Sequence, residues 1–143
     1  MRNKRLIYFF IVAAVAVVAA MCYFANHVNQ TMRNAYAVWW VAGMVVDHMI
    51  ANDGQWPENW EDLRDDYQSC VQRSGQPWPL DELMHRVRVD WDVDPRELTN
   101  QQSDGVADFR VIWLADGSRA YWAGEEPNQI ILDYLNQRGD FDH

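Results

Sequence analysis

The longest hydrophobic pattern in the chain is an uncharged apolar run of 19 residues from Leu6 to Phe24. As a helix this run is roughly 28 Å long, enough to cross the hydrocarbon core of a bilayer. Three basic residues directly precede it, namely Arg2, Lys4 and Arg5. Basic residues stay on the cytoplasmic side. We therefore predict a membrane anchor over residues 1–25, with a short cytoplasmic N-terminus, and an extracytoplasmic domain over residues 26–143.

Two other interpretations of the N-terminal half stay open at this stage. The apolar run could be a cleaved signal peptide, or a lipoprotein signal that ends at Ala19-Ala20-Met21-Cys22, although Met21 stands where a small residue is usual. Residues 35–46 could be a second membrane segment, but they number only 12 before Asp47, which is short for a span and typical of a buried core helix.

After the apolar run, hydrophobic residues recur in alternating steps of four and three, which places them on one stripe of a helix. This spacing predicts a spine helix over about 28–51 that continues from the anchor and buries this stripe. The predicted packing residues are Val28, Met32, Ala35, Trp39, Ala42, Val46 and Met49, widened by Tyr36, Trp40 and Met44. Asn52-Asp53-Gly54 is a strong helix stop, because glycine suits a left-handed cap.

After this helix stop, the spacing of the hydrophobic residues varies along the chain. Glu58 to Tyr67 predicts a short amphipathic helix, and Leu80 to Met84 a further helical turn. From Arg86 to Val93, hydrophobic and polar residues alternate with a period of two, as in a half-buried strand. Two more strands are predicted, Phe109 to Leu114 and Arg119 to Ala123, joined by a hairpin turn at Asp116-Gly117. A closing helix over about 127–138 follows.

These elements predict an α+β fold. A long N-terminal transmembrane helix continues into a spine helix, which packs on a small three-stranded antiparallel sheet over about 86–123, with a C-terminal helix.

This arrangement resembles the type IV pilins and the pseudopilins of type II secretion. The resemblance rests on the single hydrophobic helix that leads into a domain, and on the segment from Asn52-Asp53-Gly54 through Trp56-Pro57 to Leu63. It implies a non-enzymatic component of an envelope assembly. The family's processing site has a glycine before the mature helix and a glutamate five residues into it. Here neither is present around Arg5 to Phe10, a pattern that indicates a degenerate or non-polymerising relative.

Charge narrows the classes of partner. All 21 acidic residues lie beyond residue 46, so the chain after Phe24 carries 9 basic and 21 acidic side chains, a formal charge of −12. Such a surface repels nucleic acid, which we exclude as a partner. Cys70 is the only cysteine of the predicted domain, which excludes an internal disulfide framework there.

Residue types that carry chemistry do not form a recognisable site. Asp90, Asp92 and Asp94 have a calcium-loop spacing, but Pro95 stands where the loop needs glycine, and a solvated strand face explains them better. The four histidines have no metal-ligand spacing, and the serines lack a nucleophile context. We therefore expect no catalytic residue, no metal and no cofactor.

Tryptophan is unusually frequent, and six of the eight lie beyond residue 50. Most are expected to supply core volume, but an exposed set could bind a partner or a sugar ring. The candidates for a binding surface are Trp56, Trp60 and Trp78. The sequence thus favours a membrane-anchored scaffold with protein partners or self-association. The alternative is an anchored ligand-binding domain that uses exposed tryptophans, and an enzyme with a dispersed site is the third possibility.

Overall fold

The computed structural model describes residues 2–74, 78–95, 98, 110–120 and 124–139. Two compact units divide the chain, Met1–Arg33 and Asn34–His143. In chain order the elements are α1 (Arg2–Ala51), α2 (Arg64–Ser74), α3 (Leu80–Arg86), β1 (Val87–Val89), β2 (Ile112–Leu114) and α4 (Pro127–Gly139). The prediction of a mixed helix and sheet fold with a long apolar N-terminal helix and a C-terminal helix is confirmed.

The first unit is the N-terminal part of α1. Within the described residues, the chain has one helix that is long and apolar enough to cross a membrane, and none of its most apolar window is buried. The large side chains of this part, such as Leu6, Phe10 and Phe24, are more than half exposed. No glycine occurs before Gly43 and no proline before Pro57, which explains why α1 runs without interruption through this region.

The end of α1 follows the predicted stop. Asp53 and Gly54 both have left-handed backbone angles, with φ of 59° and 83°. The Gly54 N–H donates to the carbonyl of Met49 at 2.7 Å, which closes the helix with a bond back across five residues. Trp56 and Pro57 then enter the core, so the chain turns back toward the helix that it has just left.

In the second unit, the C-terminal part of α1 contributes the largest share of one hydrophobic cluster. Its buried residues are Ala37, Val38, Trp40, Val41, Ala42, Met44, Val45 and Met49. The same cluster contains Leu63 before α2, Leu83 of α3, Ile112 of β2 and Ile131 of α4. One core therefore joins the elements of this unit.

The sheet differs from the prediction. In the described residues it has two antiparallel strands, with Val87 opposite Leu114 and Val89 opposite Ile112, and not three strands. Arg119 and Ala120 are not in a strand, and residues 121–123 of the predicted third strand lie outside the described residues. The outer hydrogen-bonding groups of Ile112 are bonded to the side chain of Asn128, which occupies the place of a neighbouring strand.

Two predicted boundaries also shift. β1 ends at Val89 and does not continue to Val93, because the Asp90 carboxylate accepts a hydrogen bond from the N–H of Asp92 at 3.2 Å and bends the chain. The predicted helix from Glu58 is wrong at its start. Asp62 accepts from the N–H of Glu58 at 2.7 Å, which holds this segment in turns, and α2 begins only at Arg64.

Candidate functional site

The three tryptophans selected from the sequence lie in different surroundings. Trp56 is buried, with 9% of its surface exposed, and its indole Nε1–H donates to the carbonyl of Asp90 at 2.9 Å. This bond uses the one polar atom of the side chain. Trp56 therefore fixes the loop after β1 to the segment after α1, which is a structural role.

Trp60 and Trp78 are half-buried, and each packs edge-to-face against another tryptophan. The ring centroids of Trp60 and Trp91 are 5.5 Å apart, and those of Trp78 and Trp40 are 5.1 Å apart. Such T-shaped pairs are stabilising beyond the area that they bury. The structure brings Trp56 and Trp60 to the same loop, around Asp90 and Trp91, and places Trp78 against α1.

Trp78 is also tied to α2, because the hydroxyl of Tyr67 donates a hydrogen bond to the Trp78 carbonyl. The contacts of the three selected tryptophans thus contribute to the core at least as much as to an exposed surface. Trp39, in contrast, was predicted from the sequence to be a packing residue of the spine helix, yet 44% of its surface is exposed.

The predicted packing stripe of the spine helix is divided between inside and outside. Of its members, Ala42 and Met49 are fully buried, Ala35 and Val46 are intermediate, and Val28, Met32 and Trp39 are exposed by 40%, 52% and 44%. The centre of the buried face passes through Val38, Val41 and Val45, one residue before Trp39, Ala42 and Val46. One residue corresponds to a rotation of about 100° around the helix axis.

This rotation leaves an apolar row on the outside of the second unit. We call it the outer row: Tyr36, Trp39, Gly43, Val46 and Ile50. Its members follow one another at steps of three, four, three and four residues. Tyr36, Trp39 and Ile50 are exposed by 47%, 44% and 62%, while Gly43 and Val46 are intermediate. The sequence contains this row, but the pattern alone does not show which side of the helix faces the core.

A polar junction lies beside the outer row, where α2 crosses α1. The two terminal guanidinium nitrogens of Arg73, Nη1 and Nη2, donate to the carboxylate of Asp47, at 3.0 and 2.6 Å. The Asp47 hydrogen bonds raise the pKa of Arg73. A second pair joins His48 Nδ1 to the Asp66 carboxylate at 3.2 Å, and the Asn52 amide contacts the same ring.

Burial is the largest cause of the pKa shifts of two other groups at this junction, Asp66 and Cys70. It raises the pKa of Asp66, and the nearby His48 opposes that shift only in part. Burial also raises the pKa of the Cys70 thiol, whose Sγ–H points to the carbonyl of Trp40 at 3.9 Å. A protonated, buried thiol is a poor nucleophile. The junction is therefore suited to holding α2 on α1.

Two residues that join elements were not selected from the sequence. Asn128 is buried at the start of α4 and bonds to the backbone of Ile112 in β2. Arg138, near the end of α4, donates to the carbonyl and carboxylate of Asp53 after α1. Pro127 predicted the start of α4, and Asn128 follows it directly, but sequence alone does not distinguish a helix cap from a contact to a strand.

Among the residues that the structure describes, no group of three or more His, Cys, Asp or Glu side chains is arranged to hold a metal ion. No family model, no curated protein and no solved structure matches the chain.

Proposed function

We propose that this protein is a non-enzymatic, single-pass membrane protein whose extracytoplasmic domain joins or scaffolds an envelope assembly, similar in architecture to the pilins and pseudopilins. The observation that carries the proposal is the dual use of α1. Its N-terminal part is apolar and exposed all round, and its C-terminal part forms the centre of the domain core. One helix thus serves as both the candidate anchor and the main core element.

The orientation in this proposal rests on the basic residues near the apolar run. Three precede it, whereas Arg33 is the only Lys or Arg among the 20 residues that follow it. By the positive-inside rule, this asymmetry supports an extracytoplasmic domain.

The outer row supports an assembly role more directly than a ligand-binding role. Small-molecule sites are concave and combine apolar walls with a few convergent polar groups. The outer row is instead a line of side chains along one exposed helix, the kind of surface that another protein covers. The selected tryptophans Trp56, Trp60 and Trp78 are engaged in the core and in edge-to-face pairs, so they favour packing over ligand binding.

The test is capture of neighbouring proteins in living cells. Lys4 is the only lysine of the chain and precedes the apolar run, so amine-reactive reagents do not report on the domain. A photo-reactive aromatic residue at Tyr36, on the outer row, is therefore used with the full chain. The same residue at Gln68, which is exposed on α2 and is not part of the outer row, is the matched control.

An assembly component gives a defined cross-linked product from position 36, either with a second copy or with an identified envelope protein, and none from position 68. A chain that stays uncross-linked at position 36 in intact cells would contradict the proposal.

A further inference from the structure

We propose that α2 is a strap that opens as a unit, moving off α1 while the core of the second unit stays intact. In the closed state Arg73 lies beside Gly43 and binds Asp47, and Cys70 is buried against α1. Opening uncovers Cys70 and this side of α1 without unfolding the domain. The inference is independent of the proposed function, because the contacts that carry it lie within Asn34–His143.

The strap α2 buries little of its own surface. Cys70 is the one buried residue between Arg64 and Arg73, and the ring of Tyr67 is half-buried against the hydrophobic cluster. The helix α4 has a similar length, 13 residues against 11, but it buries Ile131, Leu132 and Leu135. Apolar burial is the main term that holds an element on a core. We therefore expect α2 to open more easily than α4.

The hydrogen bonds and ion pairs described between α2 and α1 are weak ones. Arg73 binds the Asp47 carboxylate, but 61% of the Arg73 side chain is exposed, and water screens such a pair. The Cys70 thiol points to the carbonyl of Trp40 at 3.9 Å, and a thiol is a weak donor. These contacts orient α2 on α1, and their loss on opening is partly offset by water.

Burial weakens the remaining contact, which joins Asp66 of α2 to His48 of α1. The Asp66 side chain is 15% exposed, and its carboxylate lies 3.2 Å from His48 Nδ1. Burial raises the pKa of Asp66, and the nearby carboxylates of Asp47 and Asp65 add to that shift. His48 opposes the shift only in part. The ionised carboxylate is therefore more stable in water than in the closed state, which favours opening at neutral pH.

Both ends of α2 adjoin residues that are anchored in the core. Leu63, which directly precedes α2, is fully buried, and Trp78 packs edge-to-face on Trp40 with ring centroids 5.1 Å apart. The hydroxyl of Tyr67 donates to the Trp78 carbonyl, so opening breaks this bond while the Trp78 ring stays on α1. A segment held at both ends and weakly in the middle is a strap.

The experiment follows the reaction of the Cys70 thiol with excess maleimide, on the full chain in detergent. A Cys22→Ser background leaves Cys70 as the one thiol of the chain. The comparison chain carries Val87→Cys, with both native cysteines changed to serine. Val87 is fully buried in β1, so its thiol reports opening of the core. A buried thiol reacts only when its surroundings open, and the two rates therefore compare the two openings.

Cys70 should react at least about tenfold faster than the thiol at position 87, because the strap opens without the sheet. Low concentrations of urea should accelerate the reaction at position 87 far more than that of Cys70, since sensitivity to urea increases with the surface that is exposed. The urea dependence decides the outcome even if a substitution alters stability. Equal urea dependence of the two rates would mean that α2 opens only with the whole domain, and would overturn the inference.

Two arginines of α2 test which contacts close the strap. Arg73→Gln removes the ion pair with Asp47 and should raise the Cys70 rate about threefold. Although burial raises the pKa of Cys70, Arg73 lowers it, so a faster reaction after this change does not come from a more reactive thiol. Arg64→Gln is the control, because Arg64 pairs with Glu61, away from α1, and it should leave the rate unchanged. Equal rates for the two variants would also overturn the inference.

Discussion

The side-chain amide of Asn128 pairs with the backbone of Ile112 as a neighbouring strand would. Its Oδ1 accepts from the Ile112 N–H at 2.8 Å, and its Nδ2 donates to the Ile112 carbonyl at 3.1 Å. Oδ1 also accepts from the N–H of Val111 at 2.9 Å, and Nδ2 donates to the Glu126 carboxylate at 2.8 Å. The buried amide is thereby fully hydrogen-bonded, and it links α4 to β2.

Asn128→Ala should lower the free energy of unfolding by about 2–3 kcal/mol, because it leaves buried backbone groups of Val111 and Ile112 without a partner. The measurement is denaturant unfolding of the full chain in detergent. Gln137→Ala, an exposed change on the same helix, should stay within about 0.5 kcal/mol of the parent. Equal effects of the two variants would show that the Asn128 bonds are not stabilising.

Neighbouring tryptophans of α1 test the orientation of its buried face. Trp40 has 4% of its surface exposed and packs edge-to-face on Trp78, whereas Trp39 is 44% exposed. Trp40→Ala should cost about 3–5 kcal/mol, as expected for truncation of a buried aromatic residue. Trp39→Ala should cost less than about 1 kcal/mol, a typical value for a surface change. The reverse order would mean that the helix is rotated from the position described.

Gly54 and Arg138 should be coupled. Gly54 has a φ of 83°, and a Cβ there would lie 2.7 Å from Cζ of Arg138, so an alanine is strained and also displaces the guanidinium from Asp53. Gly117 has a φ of 72° with no atom within 4 Å of a Cβ, so Gly117→Ala measures the backbone cost alone, about 1 kcal/mol.

We expect Gly54→Ala to be more destabilising than Gly117→Ala in the parent chain. In an Arg138→Ala background the difference should disappear, because the displaced side chain is gone. A difference that persists in that background would assign the extra cost to another neighbour. Unfolding measurements on the four combinations form a double-mutant cycle.

Asp66 predicts a pH dependence with a definite sign. Burial raises its pKa above the ordinary value of 3.8, so the folded protein binds this proton more tightly than the unfolded chain does. The stabilisation linked to this proton is present below pH 3.8 and is lost as the pH rises through the pKa of the folded state. Asp66→Asn has no such proton to lose.

The stability of Asp66→Asn relative to the parent should therefore improve as the pH rises from below 3.8 through the raised pKa of the folded state. Urea titrations at several pH values give this difference directly. A difference that stays constant, or that changes in the opposite direction, would show that the pKa of Asp66 is not raised in the folded protein.

The sequence predicted the elements that depend on strong local signals. The uninterrupted apolar run, the Asp53-Gly54 stop and Pro127 at the start of a helix led to α1 and α4 with nearly correct ends. These signals are local, because helix continuation and helix ends depend on residues within one turn.

The predictions were less accurate where short polar side chains compete with regular structure. Asp62 holds the turns before α2, and Asp90 bends the chain after β1, although both segments have the hydrophobic spacing of a longer element. The third strand was predicted from the hairpin turn signal at Asp116-Gly117, whereas the outer edge of Ile112 is covered by Asn128, a long-range contact without a local signal.

The spacing of apolar residues could not show which face of α1 is buried in the core. Between residues 35 and 46 almost every position is apolar, so two stripes one residue apart fit the same pattern. Only the packing of α2, α3 and the strands decides between them, and it leaves Trp39 outside and Val38 inside.

Membrane association of the full chain tests the central claim most directly. Cell membranes are washed with alkaline carbonate. A Gln68→Cys variant in a Cys22→Ser background, which removes the exposed native thiol, is treated in right-side-out vesicles with a membrane-impermeant maleimide. A double change, Val15→Arg with Val18→Arg, is the control, because each arginine costs about 2.5–3.5 kcal/mol in the middle of a spanning helix. The account predicts that the parent resists carbonate and that the Gln68→Cys variant is labelled without lysis, while the control is extracted. A parent chain that carbonate releases, or a Gln68→Cys variant that is labelled only after lysis, would contradict it.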